Sequence, residues 1–264
     1  MLSPRAVRSM TDPARLLRLG ITGTDTGVGK TVVSCALAAR ARQLGLRVAA
    51  MKPLESGVEA RAADADAMRL LVACGGHLDP ALVRPYLLRE PLAPWVAAER
   101  EGVRIDLTRL DAARASLEQE QDLLIVEGAG GLLVPITDAL SYDGLFASWH
   151  CELIIVAANR LGVLNHTRLT LLAARAAGLA VRAVVLTALH DGADDVAQAS
   201  NADALRWLCP DVPLYQFPHV SAVLDLAVLA AAAEASGLDA LLRPADPTIL
   251  QGRDTLRLQP SRTS

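Results

Sequence analysis

The run Gly23-Thr24-Asp25-Thr26-Gly27-Val28-Gly29-Lys30-Thr31 constrains this chain more than any other feature. It follows an apolar stretch, Leu16–Thr22, with strand character, and it opens a helical stretch reaching about Leu44. A glycine-rich turn between strand and helix lines up successive backbone N–H groups with a helix N-terminus, which makes an anion nest. Gly27, Val28 and Gly29 would supply the backbone of that nest. Lys30 would reach the β- and γ-phosphates of a nucleotide, and the Thr31 hydroxyl is placed for Mg²⁺. The loop is one residue longer between its first and last glycine than the usual GxxxxGK[ST] spacing. An ordinary glycine-rich turn before a helix is the bland reading, and the Gly-Lys-Thr at a strand–helix junction argues against it.

Beyond this loop the chain keeps alternating strand with helix. Arg47–Met51 reads as a strand and Leu107–Gln119 as a helix. Leu123–Val126 is a fully apolar strand of the kind buried on both faces of a sheet. Leu153–Ala157 and Val181–Leu186 repeat that pattern around a helix over Asn165–Ala177, which Gly178 would end. Val196–Leu208 is helical, Leu214–Phe217 is a short strand, and Ser221–Ala235 is an alanine-rich helix. Strands alternating with helices predict an α/β fold, a parallel sheet flanked by helices with right-handed crossovers. The 264 residues carry no Pro/Gly/Ser-rich linker and no repeat, so residues 16–243 read as a single domain. Residues 1–15 read as a flexible lead-in and 244–264 as a polar, proline-containing tail.

Two further groups fall at predicted strand ends, where open α/β sheets bind their ligands. Lys52 follows the second strand in Lys52-Pro53-Leu54-Glu55-Ser56-Gly57 and can neutralise charge on a phosphoryl group. Glu127 ends an apolar strand in Val126-Glu127-Gly128-Ala129-Gly130-Gly131, and a buried carboxylate there needs a cation or a metal. The small residues after it let backbone approach a ligand. Asp66 stands at a predicted helix start, where a carboxylate is also an ordinary N-terminal charge. Thr31, Asp66 and Glu127 together offer hard oxygen ligands suited to Mg²⁺.

Composition removes several classes. The net charge is −3 and aromatics are 3%, which leaves no positive field for duplex nucleic acid and no stacking platform for single strands. No apolar run approaches the roughly 20 residues that span a bilayer. The first 15 residues carry Arg5, Arg8 and Arg15 without the apolar segment of a secretory signal. Cys35, Cys74, Cys151 and Cys209 are scattered in apolar surroundings with no CxxC or Cys/His cluster, as reduced thiols in a cytoplasmic protein would be.

Taken together, GTDTGVGKT, KPLESG, DADA, PYLLREPLAP, VEGAGGLLVPI and LGVLNHTRLT, in this order from about Leu19 to Val220, resemble the dethiobiotin synthetase family. The resemblance implies a P-loop NTPase-like homodimer. Its substrates would be 7,8-diaminononanoate, CO₂ and ATP with Mg²⁺, and it would close the ureido ring through a carbamate and a carbamic–phosphoric anhydride. It also implies that Lys30 and Lys52 are catalytic cations and that Thr26 and Ser56 contact the substrate and carbamate. Thr31, Asp66 and Glu127 would be the metal-associated positions. Gly128, Gly130, Gly131, Thr187 and Pro218 would join the loop in holding nucleotide. Gly162, Val163 and Asn165 would present helix N-terminal amides to the substrate carboxylate across the dimer interface, a role open to any helix start facing an anion. His166 beside them is expected to be structural.

Three positions depart from the family pattern. Thr187 stands where relatives often carry an Asn that reads the adenine edge, and one hydroxyl is a poorer reader than an amide. Glu55 stands where a small or neutral residue is commoner. Turned inward it would pair with Lys52, but alternation along the chain turns it outward. Arg160 replaces a lysine and receives no role. Other ligases of the same superfamily, such as cobyrinate amidases, would need a glutaminase domain for which the chain has little room, and Cys209-Pro210 does not resemble its nucleophile. A ParA/MinD-like switch ATPase would carry an early loop lysine, yet positions 24 and 25 are Thr and Asp.

Overall fold

A computed structural model describes residues 16–59, 65–190, 196–221 and 225–243. The elements run β1 (Leu17–Gly23), α1 (Lys30–Gln43), β2 (Val48–Met51), β3 (Leu54–Ser56), α2 (Asp66–Ala73), α3 (Pro80–Val83), β4 (Tyr86–Leu88), α4 (Pro94–Glu101) and α5 (Leu107–Leu117). They continue with β5 (Leu123–Gly131), α6 (Tyr142–Ser148), β6 (Glu152–Ala158), α7 (Val163–Ala176), β7 (Val181–Thr187), α8 (Val196–Leu208), β8 (Leu214–Phe217) and α9 (Leu226–Ala235). A 3-10 turn, Leu238–Leu242, comes after α9.

Six strands form one parallel sheet in the order β2-β5-β1-β6-β7-β8, and β3 and β4 pair in a separate two-stranded parallel sheet. The large sheet is apolar on both faces because successive residues of each strand point to opposite sides. Leu19, Ile21, Ile125, Ile154 and Val156 pack under α1 and α9. Leu124, Val126, Leu153 and Ile155 pack on the other face with Tyr142 and Phe146 of α6 and Leu171 of α7. β1 lies between β5 and β6, so the glycine-rich loop leaves the middle of the sheet at its C-terminal edge.

Two boundaries differ from the sequence expectation by more than two residues. The strand expected over Leu123–Val126 continues to Gly131, since Ile21 and Gly23 of β1 pair with Glu127 and Gly131. Backbone pairing with a central strand carries it through residues of low strand propensity. The last helix begins at Leu226, not Ser221, because the Asp225 carboxylate accepts from the amides of Ala227 and Val228 and caps it there. The expected lead-in and tail lie outside the described residues.

Candidate active site

The C-terminal edge of the sheet opens into a cleft of about 930 Å³, lined by the glycine-rich loop, the start of α1, Lys52 and its following segment, the start of α2, and Pro91–Pro94. The loop's tightness is steric. A Cβ on Gly23 would come within 2.5 Å of the Asp25 carbonyl and 2.9 Å of Lys30 Nζ. Gly29 occupies the N-cap position of α1 at φ +92°, a conformation that L-residues with side chains rarely adopt. The first amides of α1 therefore face the cleft with no side-chain cap over them.

Lys30 and Lys52 stand on the floor, 6% and 4% exposed. Lys30 Nζ donates to the Asp25 carbonyl oxygen at 3.1 Å. Burial, and then the positive charge of Lys52, pull the Lys30 ammonium down to about 8. Lys52 Nζ donates to Glu127 Oε1 at 2.6 Å and Asp66 Oδ2 at 2.9 Å. Burial alone would lower its pKa, but the charges of Glu127 and Asp66 outweigh burial and raise it. Asp66 is the converse case. Burial pushes it up, and the Lys52 charge holds it below the usual carboxylate range. An ammonium has three N–H donors, so Lys52 keeps one for an incoming oxygen.

Glu127 Oε1 also accepts from Thr31 Oγ1 at 2.8 Å. Glu127 is fully buried, and its Oε2 has no hydrogen-bond partner among the described residues. A buried carboxylate oxygen without a donor is costly unless a cation meets it. Two carboxylates and a hydroxyl are too few to cage a metal alone, and the described residues contain no group of three His, Cys, Asp or Glu that could. They do fit Mg²⁺, which takes one or two carboxylates and completes its shell with phosphate oxygens and water.

The other sequence-predicted residues divide. Thr26, Gly27, Gly29, Ser56 and Gly130 line the cleft. The Ser56 hydroxyl donates to the Leu92 carbonyl at 2.7 Å. Gly128 and Gly131 lie on β5, and Val28 is buried beneath the loop. Thr187 is buried, and its hydroxyl donates to the Val28 carbonyl at 2.7 Å, with the Ala157 carbonyl at 3.2 Å. Its donor is spent on the phosphate loop. Pro218 is exposed just after β8. Gly162, Val163 and Asn165 form the start of α7 and do not line this chain's cleft. His166 is exposed there.

Glu55 corrects the sequence reading. It is 3% exposed and pairs not with Lys52 but with Arg84, whose Nη1 donates to Oε2 at 2.8 Å. Strand alternation misplaces it because both faces of the short β3 are covered: the adjacent Leu54 and Glu55 are both buried, and Glu55 meets the start of α2. Arg160 pairs with Asp25 at 2.9 Å, which ties the approach to α7 to the phosphate loop. Arg69, one helical turn after Asp66, also lines the cleft, and no motif marked it.

A family described as AAA domain matches residues 18–223. The ATP-dependent dethiobiotin synthetase BioD of Anaeromyxobacter sp. (strain Fw109-5) is 41% identical over 207 residues, 78% of this chain and 92% of that protein. The protein of the same name from Bacillus cereus (strain G9842) is 46% identical over 169 residues, 63% of this chain and 69% of its own. A ParA family ATPase from Chlorobium tepidum TLS overlaps 84% of this chain and 93% of its own at a TM-score of 0.46 and 16% identity.

Proposed function

The chain belongs to the ATP-dependent dethiobiotin synthetase family, and from that membership we propose that it joins 7,8-diaminononanoate and CO₂ at the expense of ATP, with Mg²⁺, to give dethiobiotin, ADP and phosphate. The observation that carries this reading is the pair of buried lysines on one cleft floor, Lys52 held between Asp66 and Glu127 and Lys30 under the glycine-rich loop.

One amine of the diamine adds to CO₂, forming a C–N bond and losing a proton, to give a carbamate. A carbamate oxygen attacks the γ-phosphorus of ATP, the bond to the ADP oxygen breaks, and a carbamic–phosphoric anhydride results. The second amine attacks the carbonyl carbon and gives up a proton to the departing phosphate or to solvent, the carbonyl–phosphate bond breaks, and the ring closes. Such phosphoryl transfer depends on positioning and charge neutralisation more than on a protein nucleophile. The loop amides and Lys30 hold the β- and γ-phosphates. Lys52 gives its remaining N–H to the oxygen shared between carbamate and phosphoryl group, where negative charge gathers. Thr31, Asp66 and Glu127 would hold Mg²⁺, which when bound neutralises phosphate charge. Thr26 and Ser56 flank the carbamate, and the apolar wall around Pro91 and Leu92 suits the aliphatic chain.

The working unit is a homodimer of the domain 16–243, acting in the cytoplasm. The start of α7 in one protomer offers its amides to the substrate carboxylate in its partner's cleft. Support comes from the exposed apolar face of that region, where Leu161, Leu169 and Leu172 are 83%, 56% and 49% exposed. Among the described residues no helix is long and apolar enough to cross a membrane.

The test is incubation with diaminononanoate, bicarbonate, ATP and MgCl₂, with the product read by mass. A product that has gained the ring carbonyl, formed with stoichiometric ADP, is expected. ATP turnover with no such product at saturating substrate would reject the assignment.

A further inference from the structure

Helix α2 delivers Asp66 to the site from its first turn, yet it starts at a residue unable to cap it. Its N-cap position is Ala65, which has no side-chain acceptor, whereas α3, α5 and α9 each begin at an aspartate that accepts from their first amides. A buried helix start must find acceptors for its unpaired N–H groups elsewhere. Here the acceptor comes from β3. Glu55 Oε1 accepts from the amide of Ala67 at 3.2 Å, in the buried interior. Ala67 is the second residue of the helix, where an ordinary N-cap oxygen binds. The other oxygen of Glu55 takes the Arg84 guanidinium at 2.8 Å, so the charge at the helix start is compensated.

We propose that Glu55 is a positioning residue for the magnesium–nucleotide complex: a remote N-cap, neutralised by Arg84, that fixes the first turn of α2 so that Asp66 meets Lys52 beside Thr31 and Glu127. The inference rests on the reading of Thr31, Asp66 and Glu127 as the Mg²⁺ positions. The Asp66 side chain is 39% exposed, so apart from its ion pair with Lys52 its placement depends on where the first turn of α2 is held. Ser56 follows Glu55 on the same three-residue strand, so one short element sets both Ser56 and the start of α2. Partners that orient a metal ligand without touching the metal commonly contribute 10–100-fold to metal affinity.

Removing Glu55 alone would take its ion pair from the buried Arg84 guanidinium, so the cap is tested with Arg84 already replaced. A fluorescent ATP analogue is titrated with MgCl₂ against the wild-type chain, E55Q/R84M and E55A/R84M. The glutamine amide oxygen can still accept from Ala67, and alanine cannot. E55A/R84M is expected to need at least about tenfold more Mg²⁺ for half-saturation, E55Q/R84M to stay within about threefold of wild type, and Mg²⁺-free binding to be equal in all three. Hydrogen exchange at the Ala67 amide should be protected in E55Q/R84M and fast in E55A/R84M. Adding A65S to E55A/R84M gives α2 a local cap, because Ala65 already has extended N-cap geometry (φ −57°, ψ 145°), and should restore the Mg²⁺ dependence. Equal Mg²⁺ dependence in E55A/R84M and E55Q/R84M, or no rescue by A65S, overturns the role of Glu55 while a normal wild-type response leaves the metal site standing. A wild-type chain whose nucleotide binding ignores Mg²⁺ overturns the metal reading and the role of Glu55 with it.

Discussion

Burial and the charge of Lys52 pull Lys30 from its ordinary 10.5 to about 8, so at neutral pH the folded chain holds an ammonium that water would solvate better. Between those two values the unfolded chain binds more protons than the folded one, and stability therefore rises with pH through that window. The penalty is fully present below about 8 and is relieved as pH approaches 10.5. Lys30→Met should raise the ligand-free unfolding free energy at pH 7 by roughly 2–3 kcal/mol, an advantage that shrinks towards pH 10, while turnover falls by about 10²–10³. Denaturant melts at the two pH values check it, and a variant less stable than wild type at pH 7 would refute it. Thr187 bears on nucleotide choice. Its hydroxyl is committed to the Val28 carbonyl and cannot pair with a base edge as an amide would. Preference for ATP over CTP or GTP, measured as kcat/KM, should stay below about a hundredfold. A larger preference would place an adenine reader elsewhere. That both lysines, Thr31, Asp66 and Glu127 come together was legible in the sequence, because each stands at a strand end or at a helix start beside one. Glu55, Arg84 and the direction of the Thr187 hydroxyl were not. Each depends on a partner from a different element: 29 residues away for Glu55 and 159 for Thr187.

Elements set off by an apolar run or a sustained helical repeat were readable from residue pattern alone. The strand Leu214–Phe217 and the helix Val196–Leu208 fall where the sequence puts them. The pieces β3, α3, β4, α4 and α6 were missed, since their three to eight residues show neither a fully apolar run nor a sustained helical repeat. Of those pieces β3 carries Glu55 and Ser56 into the wall of the cleft, so a segment too short to read lies on the substrate side. Caps also decide boundaries that composition blurs. α9 is apolar beyond its start, and only Asp225 marks where it begins. Asp225→Ala should therefore lower stability by about 1 kcal/mol through loss of the oxygen that accepts from two helix amides. Nucleotide affinity should be unchanged, since α9 packs on α1 and the 3-10 turn after it and does not line the cleft. Equilibrium unfolding and nucleotide titration together test this. A loss of affinity matching the loss of stability would mean that α9 holds the phosphate loop through α1.

At the scale of the whole molecule, the parallel sheet gathers the phosphate loop, Lys52 and Glu127 at one edge but leaves the start of α7 outside the same chain's cleft. If the α7 amides serve the partner's cleft, two differently disabled chains should repair each other. Lys52→Met disables a cleft and leaves α7 intact. Asn165→Asp puts a carboxylate among the amides meant for the substrate carboxylate and leaves the cleft intact. Each homodimer should be nearly inactive. In a heterodimer the intact cleft belongs to the Asn165→Asp chain and faces the intact α7 of the Lys52→Met chain. Random reassortment makes half the dimers mixed, each with one working site of two, so mixed and reannealed protein should recover about a quarter of wild-type turnover. Service within one chain predicts no recovery, because neither chain then has both parts. Replacing Leu169 and Leu172 by Glu on the exposed face of α7 should yield monomers in sedimentation that bind nucleotide but do not close the ring, and that abolish recovery on mixing. Full activity in such monomers would show that each cleft is complete within one chain.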